Sequence, residues 1–176
     1  MQYVKYTNIS KDGFLGLNAS LSISRTSLKS LIEYSLITTC TKLYSKHEDI
    51  RLVLPLAEFI AQRYKRVAEI GIGNNVAVAE LLKSKGVSVI ATDVRKVKTS
   101  VEFYIDDIIN PRLEIYRGVE LVYSIRPPPE LFSAIRRLSK LINADCIIKP
   151  LYGDFCDGKL INYKGVNFYL WRRSNI

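Results

Sequence analysis

Apolar positions along the chain change period in a regular way. Residues 67–70 form an apolar run broken only by Glu69, residues 76–85 carry helical spacing, and residues 87–91 form a second apolar run. A strand-length run, a helical stretch and another run make one βαβ unit. Further runs at residues 101–105, 119–125 and 145–148 extend the series, with short crossovers between them and a helical stretch over residues 130–142. Short strands that are apolar throughout belong to parallel sheets covered on both faces. The pattern therefore predicts an α/β fold: a Rossmann-like, doubly wound, mostly parallel sheet. The tail has a different character. Residues 160–163, a Lys164-Gly165 turn, and the β-branched and aromatic residues of 166–171 predict a C-terminal antiparallel hairpin.

Upstream, Ile50, Leu52, Val53, Leu56, Ile60 and Ala61 mark one face of a helix over residues 48–64. Pro55 is a point for a kink, and Lys65 and Arg66 close the helix at the negative end of its dipole. Residues 1–45 are rich in Ser and Thr and show no clear alternation. They form a partly helical N-terminal extension, in which Leu28, Leu31, Ile32, Leu36 and Leu43 recur at helical spacing behind a Thr26 or Ser27 cap. The expected organisation is an extension over residues 1–45 and a Rossmann-like domain over residues 46–176.

Composition narrows the class. The chain has 176 residues, 48% hydrophobic and 24% charged, which suits one globular domain with a sizeable core. Its longest apolar stretches, such as residues 52–57, are cut by Pro55 and flanked by charge, so no membrane span is expected. The opening MQYVKYTNISKDGFLGL lacks the compact apolar stretch of a secretory signal, and a cytoplasmic address follows. Cys40, Cys146 and Cys156 form neither an even set nor a paired motif, and His47 is the sole histidine, so no metal site or disulfide framework is expected. With 26 Lys and Arg against 17 Asp and Glu, the charge of +9 favours polyanions, nucleic acid among them.

The sharpest local feature is Glu69-Ile70-Gly71-Ile72-Gly73, where an apolar strand meets a helix. Gly71 allows a tight turn and Gly73 a close approach of backbone to ligand, while the following helix offers unpaired N–H groups to an anion. A dinucleotide fingerprint would place a third glycine at Val76, which argues against NAD and FAD, and the negative charge of Glu69 also argues against NAD. Twenty residues after Gly73, Asp93 ends the second run, positioned to accept both ribose hydroxyls of a nucleoside. Asp106 and Asp107 end the third run on the same carboxyl edge, one of them a candidate acceptor for an adenine amino group. Each signal also has a bland reading as a turn or cap. Jointly they fall where open α/β sheets bind ligands.

These residues resemble class I S-adenosylmethionine-dependent methyltransferases, whose first motif is an acidic residue, any residue, Gly, any residue, Gly. The resemblance spans residues 48–173. It implies S-adenosylmethionine as cofactor, with Glu69 beneath its methionine end, Gly71 and Gly73 beside it, Asp93 on the ribose, and Asp106 or Asp107 near the adenine. More closely, EIGIG, ATDVR, DDIINP, YSIRPPPEL and CIIKP look like a small uncharacterised archaeal family with a methyltransferase-like Rossmann fold, a match that implies no activity. Asn75 replaces the third glycine common in active methyltransferases.

The fourth strand ends in Ser124-Ile125-Arg126 and three prolines, where amino-methyltransferases carry a polar residue, two prolines and an aromatic. On one reading the prolines merely lock the strand exit, with Pro129 in the first turn of the next helix. On the other, Ser124 and Arg126 are candidate catalytic residues, with the Arg126 guanidinium and Lys149 at the exit of strand five facing an anionic substrate. Tyr152 and Asp154 stand nearby as weaker candidates. Methyl transfer needs little acid–base help once the nucleophile is in line. Three functions follow: a methyltransferase on an anionic substrate such as RNA, a non-catalytic nucleoside- or RNA-binding module, and a nicotinamide-dependent oxidoreductase, the least favoured. Arg136, Arg137 and Lys140 read as a solvated helix face. The pattern leaves oligomeric state and methyl acceptor open.

Overall fold

A computed structural model describes residues 47–151 and 153–173, with side chains from residue 54 onward. The expected boundary near residue 45, the helix over residues 28–43, Cys40 and Tyr152 lie outside the described residues.

Helix α1 spans His47–Ala61 and runs unbroken through Pro55. Strand β1 (Arg66–Ile70), helix α2 (Ala77–Ser84) and strand β2 (Ser88–Asp93) form the first βαβ unit. Strand β3 (Glu102–Ile105) follows without an intervening helix, then a 3₁₀ turn at Leu113–Tyr116 and strand β4 (Leu121–Ile125). Helix α3 (Phe132–Leu141), preceded by a 3₁₀ turn at Pro129–Leu131, leads to β5 (Asp145–Lys149). Strands β6 (Lys159–Tyr163) and β7 (Val166–Trp171) close the chain.

The sheet order is β3-β2-β1-β4-β5-β7-β6. The first five strands are parallel, and β7 is antiparallel to both β5 and β6. The order reverses direction between β1 and β4, which opens a crevice beyond their carboxyl ends.

The central strands are buried on both faces, which is why their sequences are apolar throughout. On one face α1 and α2 pack Leu56, Ile60, Val78 and Leu82 against Val67, Val89, Leu121 and Ile147. On the other, α3 packs Ile135 and Leu138 against Ala68, Ile90, Val122 and Ile148, joined by Ile108 and Tyr116. Each fully buried Leu or Ile contributes about 1.5–3 kcal/mol. The hairpin turn takes left-handed backbone at Lys164 (φ 49°) and Gly165 (φ 82°), the form that matches strand twist. Lys164 pairs with Glu58 at 2.6 Å, tying the hairpin to α1.

One expectation at the end of α1 is corrected. Lys65 and Arg66 do not close the helix, because Arg66 already belongs to β1. Arg63 serves that end instead, its guanidinium donating to the Phe59 carbonyl at 2.9 Å.

Candidate functional site

A cleft of about 220 Å³ opens at the reversal point. Its walls come from the exits of four strands: Ile70 and Gly71 at the end of β1, Asp93 at the end of β2, Asp106 after β3, and Ser124 and Arg126 at the end of β4. Pro127, Pro128, Leu131 and Ile135 close its far side. Sites that enclose drug-sized ligands run to roughly 300–1,000 Å³, so a whole nucleoside cofactor would extend past this cleft along the open edge.

The glycine loop is shaped by backbone. Gly71 and Ile72 both donate to the Thr92 carbonyl, at 2.8 and 3.1 Å. Gly71 (φ 67°) and Gly73 (φ 54°) hold left-handed conformations, which cost a residue with a Cβ about 1–2 kcal/mol. A Cβ on Gly71 would meet nothing within 4 Å, so the glycine serves the turn and leaves open space beside it. Asn75 accepts the Ala77 amide at 3.4 Å at the start of α2.

Asp93 is held from two sides. Oδ2 accepts the Gly73 amide at 2.9 Å and Oδ1 accepts the Arg95 amide at 2.9 Å. A carboxylate offers roughly four acceptor positions, so two remain for a ligand on a side chain already fixed in place. Asp106 is more heavily committed. Its Oδ1 accepts both the Arg112 amide and Nε at 3.2 Å, and its Oδ2 accepts the Tyr116 hydroxyl at 2.7 Å. One position remains. Burial raises the Tyr116 hydroxyl well above its ordinary range, so it stays a donor.

Of the two aspartates after β3, only Asp106 lines the cleft. Asp107 is exposed and accepts the Ile109 amide at 2.9 Å, which shapes the turn after the strand. Glu69 lies outside the cleft wall, fully buried, and accepts the Tyr123 hydroxyl at 2.7 Å. Burial pushes its carboxyl up to about 8, against the pull of the Tyr123 bond. Glu69 is therefore mostly neutral at pH 7, and the expectation that its charge opposes a dinucleotide loses its basis.

On the far side of the cleft, the Ser124 hydroxyl donates to the Ile70 carbonyl at 2.7 Å, spending its proton within the fold and leaving its oxygen as an acceptor. Arg126 holds left-handed backbone (φ 53°), and its amide donates to the Lys149 carbonyl at 2.6 Å. Lys149 stands half-buried beside it but outside the cleft wall, its ammonium donating to the Pro150 carbonyl at 2.9 Å. Burial, then the Arg126 charge, lowers its pKa.

Sequence reasoning missed the supports: Tyr116, Arg112, Thr92 and Tyr123. One signal was available, since a Glu inside an apolar parallel strand needs a polar neighbour and Tyr123 is its register partner in β4. Among the described residues, no His, Cys, Asp and Glu cluster converges as a metal site would, and no helix is long and apolar enough to cross a membrane.

Solved structures match the architecture. A candidate S-adenosyl-L-methionine-dependent methyltransferase from Methanococcus maripaludis superposes with a TM-score of 0.53 at 12% identity, covering 92% of this chain and 99% of its own. At that identity the likeness is one of fold: the sheet is that of the class I methyltransferases. Sequence relatives are closer. A protein of Archaeoglobus fulgidus is 52% identical over 126 residues, covering 70% of this chain and 97% of the relative. One of Pyrococcus abyssi is 37% identical over 129 residues, covering 68% and 98%. Both carry the family designation UPF0146, and the model of that family matches residues 53–173. The chain thus belongs to UPF0146, an uncharacterised protein family.

Proposed function

We propose that the chain is a cytoplasmic S-adenosylmethionine-dependent methyltransferase acting on an anionic substrate. The observation that carries this reading is Asp93, fixed by the Gly73 and Arg95 amides with acceptor capacity to spare, beside a glycine turn at the reversal point of the sheet. In this arrangement Asp93 accepts the ribose hydroxyls, Asp106 offers its remaining lone pair to the adenine amine, and the loop before α2 receives the methionine end. Glu69 supports the loop from beneath as a neutral acid. Bound S-adenosylmethionine supplies an electrophilic methyl group. The chain's part is positioning, with the Ser124 oxygen accepting a hydrogen bond from the incoming nucleophile and Arg126 drawing the substrate's anionic group to the cleft.

The second reading, a non-catalytic nucleoside-binding module, is favoured by two observations: among the described residues no His or Cys lines the cleft, and the Ser124 proton is committed to Ile70. A nicotinamide oxidoreductase is disfavoured by Val76, where a third glycine would be needed. Calorimetric titration with S-adenosylmethionine, S-adenosylhomocysteine and NAD, on wild type and Asp93→Ala, separates the three. Saturable adenosyl binding that the variant loses supports the cofactor site. Binding of NAD alone, or of none, overturns it.

A further inference from the structure

Helix α3 has two working sides. Its inner side sends Ile135, with Leu131 just before the helix, into the wall of the cleft. Its outer side, with Ser133, Arg136, Arg137, Lys140 and Leu141, lines a second, shallow groove of about 510 Å³. Three of these five residues are cationic and none is acidic. Arg136 is neutralised by Asp157, at 2.6 and 2.7 Å, so Arg137 and Lys140 carry the field.

Two segments tied to the groove's arginines carry exposed apolar side chains. On one side Arg137 donates to the Ile109 carbonyl at 2.6 Å, joining the groove to the segment after β3, and the Ile109 side chain is exposed. On the other, the Asp157 clamp draws the return segment between β5 and β6 onto α3, and two residues earlier Phe155 is 86% exposed. Leu141 at the end of α3 is also exposed. Phe155 thus offers an exposed ring on a segment that Asp157 anchors to the cationic helix.

We propose that the outer face of α3 binds a single strand of nucleic acid, its phosphates on Arg137 and Lys140 and a base stacked on Phe155. Single strands need the two features found together here: cations that follow a backbone and an exposed ring that accepts the face of any base. A duplex keeps its bases stacked and gains little from the ring. A strand on this face lies one helix away from the cleft and passes Ser133 and Leu131 to reach it. The binding surface does not require the cofactor reading, but the delivery of a nucleotide to the cleft rests on it.

The test is fluorescence anisotropy with labelled single-stranded RNA, single-stranded DNA and duplex RNA of equal length, on the full chain. Both single strands should bind, duplex more weakly, and raising NaCl from 50 to 200 mM should weaken binding about sevenfold, as two phosphate contacts on a single strand require. Phe155→Ala should cost roughly fivefold or more, and Arg137→Ala and Lys140→Ala should each flatten the salt dependence. Lys85→Ala, on the opposite face of the sheet, should leave affinity within about twofold. Stronger binding by RNA than by DNA would name the natural strand. The proposal is overturned by absence of oligonucleotide binding, by duplex bound as well as single strand, by equal losses in Lys85→Ala, or by capture on anionic vesicles in preference to oligonucleotide. Calorimetry with S-adenosylmethionine on the same variants keeps the two readings apart: Arg137→Ala should bind it normally, and Asp93→Ala should lose it while holding the strand.

Discussion

Replacing Glu69 by Gln should change how stability depends on pH. Glu69 is fully buried in β1, and burial raises its carboxyl from 4.5 to about 8. Between those values the folded protein keeps a proton that the unfolded chain has released, so stability falls as pH rises through the window. Each pH unit costs about 1.4 kcal/mol, which removes about 3 kcal/mol by pH 7 and about 4 kcal/mol by pH 8, where the folded carboxyl is itself half ionised. Gln keeps an acceptor oxygen for the Tyr123 hydroxyl and never ionises. Urea denaturation of both proteins from pH 5 to 8.5 reads the difference. The two should agree within about 1 kcal/mol at pH 5, with Glu69→Gln the more stable by several kcal/mol at pH 8. A constant gap across the range, or a wild type that gains on the variant as pH rises, would mean that folding does not raise the Glu69 carboxyl.

Two further perturbations follow from the supporting structure. Asp145 accepts the Tyr64 hydroxyl at 2.6 Å, the Arg172 guanidinium at 2.7 Å and the Arg173 amide at 2.8 Å. Burial works to raise its carboxyl, but those bonds outweigh it and leave the pKa below the ordinary 3.8. Its contribution is present above about pH 4 and lost as pH falls through the lowered value. Asp145→Asn should therefore cost about 1.5–3 kcal/mol at pH 7, most of it from Tyr64 and the Arg173 amide because Arg172 is exposed, and the gap should close in acid denaturation below pH 4. At Gly158 a Cβ would stand 2.6 Å from the Trp171 ring, so Gly158→Ala should cost about 1–3 kcal/mol. Trp171 is the single tryptophan, and its emission should shift in the folded variant.

The strands were legible because parallel strands covered on both faces must be apolar throughout, and Gly and charged residues punctuate them. Residues 145–148 became Asp145–Lys149, and the hairpin fell at Lys164-Gly165 as the turn chemistry required. The glycine turn and Asp93 were legible for a related reason, since backbone conformation and strand ends are local facts. What sequence left open depended on partners distant in the chain. Whether Asp106 or Asp107 reaches the cleft is decided by Arg112 and Tyr116, which clasp the first and have no periodic signature. The charge of Glu69 is set by burial under the α1 and α2 face and by Tyr123, 54 residues away. The dipole role given to Lys65 and Arg66 passed to Arg63 because the sheet pulls Arg66 into β1.

The proposed methyltransferase function requires an adenosyl cofactor seated on Asp93 beside the glycine turn. Backbone amide NMR during titration with S-adenosylmethionine tests it most directly. Saturable shifts are expected at Gly71, Gly73 and Arg95, whose amides surround the turn and the Asp93 carboxylate, with smaller ones near Asp106 and Ser124 and none along β6. Absence of shifts at Gly73 and Arg95 under saturating ligand, or shifts gathered on the outer face of α3 instead, would contradict it.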